Sequence, residues 1–351
     1  MMMNIISKFI EHIRIERNRR ITLKEEACNM HLIKMQKLTS IEKKQINEKW
    51  NRLGLSINPL YFRMFKTFEY FSPLWVADDL YFPYMTEKLN HKNARLAYEH
   101  KGNLTSIFGN DFLTPSTILN VIRGVVFDSN GNIVDHNVAD SLLQKAHSYI
   151  IKPSIESSCG RSVRKCTFPE WNVSNINKYY SDNYIVQEII EQHPFTAQFN
   201  KNSLNTFRIS TLFINGNVSL CSVLFRCGQD GNVVDNGGAG GLMVGVEENG
   251  IFRDYAYNNR YERFNATKNG VIFKNLHFKG LPEIIERIKE IHIKNIPFMG
   301  FAGWDIAIDI QGNPVLIEVN LTFPGVQFEQ LCASKPMFGD RTEEVIQYVS
   351  R

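Results

Sequence analysis

The chain has 351 residues, of which 43% are hydrophobic, 12% aromatic and 22% charged. That length accommodates about two to three domains with cores that need neither disulfide nor metal staple, and the composition excludes a mainly disordered or collagen-like chain. Forty Lys and Arg against 36 Asp and Glu leave +4, too mild an excess to mark a nucleic-acid-binding protein, so no nucleic-acid partner is expected. The cysteines Cys28, Cys159, Cys166, Cys221, Cys227 and Cys332 show neither C-x-x-C nor zinc-ribbon spacing and read as structural thiols of an intracellular chain.

At the amino terminus, Ile5, Ile6, Phe9, Ile10 and Ile13 recur at helical spacing, interrupted by Lys8, Glu11, His12 and Arg14. Neither a secretory h-region nor a membrane-spanning segment fits that pattern, and a cytoplasmic address is expected. Arg14, Arg17, Arg19, Arg20 and Lys24 follow the apolar stripe. The cluster suits peripheral contact with anionic lipid or a membrane-bound glycosyltransferase; a helix packed on its own protein with a solvated basic face is the plainer reading. Residues 1–100 read as mostly helical, with Lys43, Lys44, Glu48 and Lys49 followed by the aromatic stretch from Tyr61 to Trp75, and carry no readable chemistry.

From about residue 113 the pattern changes to short β-branched runs, GVVFD and NIVDH, with turn residues Ser129 to Asn132 between them. Strands are then predicted at SYIIKP (148–153), YIVQEII (184–190), FRISTLFI (207–214), NVSLCSVLFR (217–226) and VIFK (271–274). A helix follows over 281–294, with Pro282 early and Ile284, Ile285, Ile288, Ile291 and Ile293 forming most of its apolar face. WDIAIDI then turns through Gln311 to Pro314 into VLIEVN. The whole reads as α+β with antiparallel sheets, without internal repeats.

That last hairpin carries the most chemistry. Asp305 is expected to open one strand, with Glu318 and Asn320 closing the next on one face by the period-two rule. Two carboxylates and an amide are hard donors suited to Mg²⁺, which completes its shell with water and substrate phosphates. Glu318 ends an apolar run, where an unpaired charge is costly and a bound cation would offset the cost. Upstream, Lys152 and Pro153 end a strand before a loop with Ser157, Ser158, Cys159, Gly160 and Arg161. Small residues let backbone N–H groups approach phosphate oxygens, although the loop lacks the P-loop pattern. Gln187, Glu188 and Glu191 lie on or after a strand whose main chain suits adenine, with an acid for ribose. Arg208 and Arg226 lie on strands, ahead of a glycine-rich segment from Asp235 to Gly241 that includes Asn236. Arginines facing a polyphosphate give charge-assisted, often bidentate contacts.

Taken in order, Lys101, Lys152 with its Ser/Gly loop, Gln187-Glu188, Arg208, Asp305 and Glu318-x-Asn320 resemble the ATP-grasp superfamily, which includes D-alanine:D-alanine ligase and glutathione synthetase. The segments K-P-S-x-x-S-S-x-G, Q-E-I-I-E-Q-H-P, S-L-N-T-F-R-I-S-T, D-N-G-G-A-G-G and G-W-D-I-A-I are similar to its sugar-transfer-associated branch, over roughly residues 90–345. The resemblance implies an ATP-grasp fold, two α/β subdomains with antiparallel sheets clamping ATP, after a mainly helical region. The boundaries expected are 1–100 (helical), 101–186 (lid) and 187–351 (metal-binding hairpin).

By the same resemblance, Lys101, Lys152, Ser157, Ser158 and Gly160 would touch ATP phosphates. Gln187, Glu188, Ile189 and Ile190 would offer main-chain groups to adenine, with Glu188 or Glu191 on the ribose. Asp305, Glu318 and Asn320 would hold Mg²⁺. Gly303 stands where D-alanine:D-alanine ligase has an arginine, so stabilisation of the tetrahedral intermediate falls to Arg208 or Arg226, with Arg226 or Asn236 nearer the acceptor. The implied reaction is ATP-dependent amide formation through an acyl phosphate, between a sugar or uronic acid carboxylate of a surface polysaccharide and an amino acid or small amine. The alternatives are an ATP-binding regulatory or scaffold protein of a glycan-assembly system, and a small-molecule kinase on the same fold.

Overall fold

The computed structural model describes residues 2–30, 33–155, 162–229 and 240–351. Twelve strands form two antiparallel sheets among the described residues. The smaller sheet holds β1 (Thr117–Ile122), β2 (Val125–Phe127), β3 (Ser148–Pro153), β4 (Arg164–Thr167) and β5 (Tyr184–Gln187) in the order β2-β1-β5-β3-β4. The larger holds β6 (Thr206–Ile214), β7 (Asn217–Cys227), β8 (Leu242–Val246), β9 (Phe252–Tyr257), β10 (Arg263–Phe264), β11 (Phe301–Ile308) and β12 (Pro314–Asn320) in the order β10-β9-β8-β7-β6-β11-β12. Nine helices have eight or more described residues: α1 (Met2–Met30), α2 (Ser40–Trp50), α3 (Leu60–Phe68), α4 (Lys92–Glu99), α5 (His136–Ala146), α6 (Val173–Tyr180), α7 (Leu281–Asn295), α8 (Val326–Ala333) and α9 (Thr342–Val349).

Local chemistry sets the turns and helix starts. Asn215 and Gly216 both have positive φ, 51° and 78°, the two-residue turn whose twist matches the strands β6 and β7 that it joins. At the β11–β12 turn the Asp309 carboxylate accepts the Asn313 N–H at 2.7 Å, an Asx-type closure. Asp135 caps α5 by accepting the Val138 N–H at 2.9 Å. That cap is why the run NIVDH is not a strand: Ile133 makes one isolated bridge to Phe127, and Asp135 is committed to the helix. VIFK is likewise not a strand, since Val271 turns back through Thr267 and Ile272 makes only an isolated bridge to Ala266. The strand expected to reach Ile190 ends at Gln187.

Three cores organise the molecule. One fills the small sheet against α5 and α6 with Leu119, Tyr149, Ile151, Leu143 and Ile176. A second lies between the large sheet and α7, whose Leu281, Ile284, Ile285, Ile288 and Ile291 are buried. Ile293 is exposed instead of joining that face, because the next position inward is taken by His292. Its Nδ1 lies 2.7 Å from Thr211 Oγ1 and its Nε2 2.8 Å from the Met299 carbonyl, so the polar ring is satisfied and burial pushes its pKa down to about 4. The third core joins the amino-terminal helices, through Trp50, Phe62, Phe65, Trp75 and Leu80, to Leu212, Leu224, Val326 and Val345. The helical region therefore packs on the large sheet face that α8 also covers. Arg19 of α1 is buried in an ion pair with Asp79 at 2.8 Å. Cys166, Cys221, Cys227 and Cys332 are buried and in no disulfide, and no described helix is long and apolar enough to cross a membrane.

Candidate functional site

The two faces of the large sheet differ in chemistry by strand alternation. Phe207, Ile209, Val223 and Phe225 point to the α7 core, so Arg208, Ser210, Ser222 and Arg226 occupy the opposite face. Register aligns the ionic residues there: Glu318 of β12 pairs with Asp305 of β11, which pairs with Arg208 of β6. Asn320 lies two residues along, opposite Gly303. Asp305 thus lies within its strand rather than opening it, correcting the expected position, because β11 begins at Phe301.

Asp305 is 1% exposed. Arg208 Nε and Nη2 donate to its two oxygens at 2.5 and 3.0 Å, and Arg226 Nη2 lies 2.9 Å from Oδ2. The two guanidinium charges hold the Asp305 carboxyl far below the usual carboxylate range despite the burial that opposes them. The amide of Asn320 donates to Asp305 Oδ2 at 3.3 Å. A Cβ at Gly303 would stand 3.2 Å from Arg208 Cδ and 3.2 Å from Pro324 Cβ, tight enough that one of them would have to shift. The Arg208 side chain takes up that space.

The small sheet supplies the opposing wall. Lys152, near the end of β3, is 6% exposed, and Lys101 is brought beside that strand end by its N–H donating to the Ser154 carbonyl at 2.9 Å. Lys101 Nζ reaches across to Glu318 Oε2 at 3.1 Å. Burial, reinforced by the Lys101 charge, pushes the Lys152 ammonium down to about 8. A cavity of about 1240 Å³ separates the walls and is lined by Lys101, Lys152, Gln187, Glu188, Ile189, Ile190, Arg208, Arg226, Asp305, Glu318 and Asn320. Glu191 is exposed and outside its lining, leaving Glu188 as the acid on that edge. Ser157, Ser158, Gly160 and Asn236 lie outside the described residues.

Two acids escaped the sequence reading. Glu99 accepts the N–H groups of Leu321 and Thr322, both at 2.7 Å, and so fixes the chain just after Asn320. Glu329, on α8, is 1% exposed; Ser222 Oγ donates to its Oε2 at 2.6 Å, and Arg208 Nη1 is 3.6 Å from its Oε1. Burial pushes its carboxyl up to about 7 against the pull of Arg208. The only signal in sequence was an acid four residues beyond Pro324-Gly325.

The donor set fits a magnesium nucleotide. Half-buried Glu318 and Asn320 share a face beside Asp305 as hard oxygen ligands. Two ammonium groups, one of them with its pKa pushed down to about 8 by burial, face them across the cavity.

A family model described as sugar-transfer associated ATP-grasp matches residues 86–346. No curated protein matches the chain. Among solved structures it is similar to an L-amino acid ligase from Bacillus licheniformis at 13% identity, covering 73% of this chain and 48% of that one, with a TM-score of 0.42. The D-Ala:D-Ser ligase VanG from Enterococcus faecalis is 12% identical, over 72% of this chain and 60% of its own, at 0.43. The ATP-grasp ligase PsnB, complexed with minimal precursor, Mg and ADP, is 12% identical over 75% and 62%, at 0.44. The chain thus spans from about half to under two thirds of the length of these structures.

Proposed function

Because the chain belongs to the sugar-transfer associated ATP-grasp family, we propose that its cleft is the active site of an ATP- and Mg²⁺-dependent carboxylate–amine ligase. The observation that carries this reading is the cross-strand row Glu318, Asp305, Arg208, faced by Lys101 and Lys152 across one cavity. Phosphoryl transfer is catalysed by positioning and charge neutralisation more than by covalent help, and this site is composed that way.

Lys101 and Lys152 bind the phosphates, with Ser157, Ser158 and Gly160 assigned to the same task from sequence. Gln187 to Ile190 flank the base, and Glu188 is the ribose acid. Glu318, Asn320 and Asp305 hold Mg²⁺, which when bound screens phosphate charge. Arg208, locked by Asp305 and the Pro324 carbonyl, neutralises the oxyanion that forms at the acyl carbon. Arg226 stands beside it, and Asn236 is assigned to the acceptor side from sequence. A carboxylate oxygen takes the γ-phosphoryl group of ATP with release of ADP, and the acyl phosphate passes its acyl group to an amine with release of inorganic phosphate and a proton. We assign the carboxylate to a sugar or uronic acid of a surface polysaccharide, on the strength of the family's association with sugar transfer.

The test is the melting temperature with Mg-ATP, with and without EDTA, for the wild type and Glu318→Gln. A ligand at a hundredfold over Kd adds about 2.7 kcal/mol. With an unfolding entropy of roughly 2.1 cal/mol/K per residue, or about 0.7 kcal/mol/K for this chain, the expected shift is about 4 °C. A metal-dependent shift, weakened by the substitution, supports the site; ADP release with uronic acids plus amines then tests the reaction. No shift in either protein overturns it.

A further inference from the structure

α1 turns one side to the protein and the other to solvent. Ile15 and Arg19 are buried, with Arg19 paired to Glu16 and Asp79. On the opposite side, at 3.6 residues per turn, Ile10, Ile13, Arg14, Arg17, Ile21 and Lys24 fall within an arc of about 100° that runs about 21 Å along the helix. All six are exposed, the isoleucines by 60%, 52% and 47% in that order. One exposed isoleucine is ordinary, but three on one strip mark a surface that meets something. Between residues 10 and 24 no acid falls on the arc. Arg14, Arg17 and Lys24 make no ion pair among the described residues.

Beside the strip, between α1 and the start of α3, a groove of about 430 Å³ opens to solvent. Arg20 and Lys24 of α1 and Arg63 of α3 line it, together with the apolar side chains Leu23, Ala27 and Leu60, and no acid does. Three cations around an apolar floor suit an anionic headgroup with hydrocarbon beneath it. Lys24 belongs to both features and makes them continuous. Both helices lie outside the family match, which begins at residue 86.

The mixture of residues decides the occupant. A protein surface seated on the strip would bury Arg14, Arg17 and Lys24 among the isoleucines, at a desolvation cost that the charge-poor cores of protein interfaces avoid. At a bilayer the isoleucines sink below the headgroups, while the long Arg and Lys stems lie along the apolar boundary and carry their charges up to the phosphates.

We propose that this face of α1, with the groove beside it, docks the protein on the surface of an anionic lipid bilayer. Glu25, the residue after Lys24, lines the cavity between the two sheets, so docking sets that rim of the cavity beside the headgroups. The proposal stands apart from the ligase reading, because docking needs no nucleotide.

The experiment is flotation of the full chain with vesicles of phosphatidylcholine alone and of phosphatidylcholine with about one third phosphatidylglycerol, at low and high salt. Binding to the anionic vesicles is expected to be at least tenfold tighter and to weaken in high salt. At about fivefold per charge, Arg14→Gln/Arg17→Gln/Lys24→Gln should weaken it on the order of a hundredfold, and Arg20→Gln/Arg63→Gln by roughly tenfold or more. Ile10→Ser/Ile13→Ser/Ile21→Ser should weaken it at least tenfold with the charge unchanged. Lys268→Gln/Lys274→Gln/Lys279→Gln removes three exposed charges from elsewhere and should leave binding within twofold. Melting temperatures of the same samples check that every variant is folded, and single substitutions serve where a triple one is not. Equal binding to both vesicle types overturns the proposal, as does an isoleucine variant that binds like the wild type. So does a Lys268/Lys274/Lys279 variant that loses as much as the strip variant, which would mean that net charge and not this face attracts the membrane. No vesicle binding also overturns it and leaves the strip to an acidic protein surface.

Discussion

Glu329→Gln should stabilise the ligand-free protein, and by an amount that depends on pH. The Glu329 carboxyl moves from an ordinary value of 4.5 up to about 7 because burial strips its hydration. Between those values the native state binds more protons than the unfolded chain, so stability falls as pH rises through the window. The full difference is roughly 2.5 pH units at 1.36 kcal/mol each, about 3 kcal/mol, present below pH 4.5 and lost above pH 7. Glutamine keeps the shape and cannot ionise. With an unfolding entropy of about 0.7 kcal/mol/K for this length, the variant should melt about 4 °C above the wild type at pH 8 and close to it at pH 4.5. Melting curves of both proteins across that range, without nucleotide or amine, make the measurement. Parallel pH profiles would refute the reasoning, since they would mean that Glu329 is not destabilised by its site. A variant that melts lower at pH 8 would mean that the attraction of Arg208 at 3.6 Å outweighs desolvation.

Three further outcomes follow from the same physics. Lys152→Met should raise the ligand-free melting temperature at pH 7, because an ammonium pushed down to about 8 by burial costs the fold up to about 3 kcal/mol when charged, and should abolish the shift caused by Mg-ATP; thermal melts with and without nucleotide check both. Asp305→Asn removes the carboxylate that both Arg208 and Arg226 hold; breaking a buried pair costs about 3–5 kcal/mol, or roughly 4–7 °C here, read in the same assay. His292, with its folded pKa pushed down to about 4 by burial, gives stability that is full above about pH 6.5 and lost as pH falls towards 4, about 3 kcal/mol in all. Because the Glu329 slope opposes it, urea unfolding of Glu329→Gln from pH 7 to 4.5 should show a steeper loss than the wild type, carried by His292 together with His100, whose imidazole burial also pushes down.

What the sequence made legible is what period and turn chemistry control. The hairpin from Trp304 to Asn320 put Asp305 and Glu318 on adjacent strands and Asn320 on the Glu318 face, and the structure pairs them in that way. The apolar runs of β3, β6 and β7 fell within a residue or so of their observed limits. Errors arose where a polar side chain or a neighbouring segment overrode local preference. Asp135 caps a helix and ends the run at Ile133; Ile293 yields its inward position to His292, because Thr211 and the Met299 carbonyl lie waiting for the ring. The pairing of Arg208 with Asp305 joins residues 97 positions apart, and such a contact leaves no local trace. Glu329 was hidden for the same reason: its burial depends on α8 lying across β7 and β8, and on residues 76–81 closing over α8.

The ionic floor and the buried groups beside it are physically different kinds of charge. Arg208 and Arg226 share the single negative charge of Asp305, which leaves one positive charge over, and they are bonded in the ligand-free protein, so they offer a fixed positive field that needs no reorganisation when negative charge develops nearby. Lys152 and Glu329 are the reverse, each displaced by burial towards its neutral form. A protein gains nothing in stability from such groups; they persist where a ligand supplies the missing counter-charge. On the proposed reading, the counter-charge of Lys152 is the polyphosphate of the nucleotide.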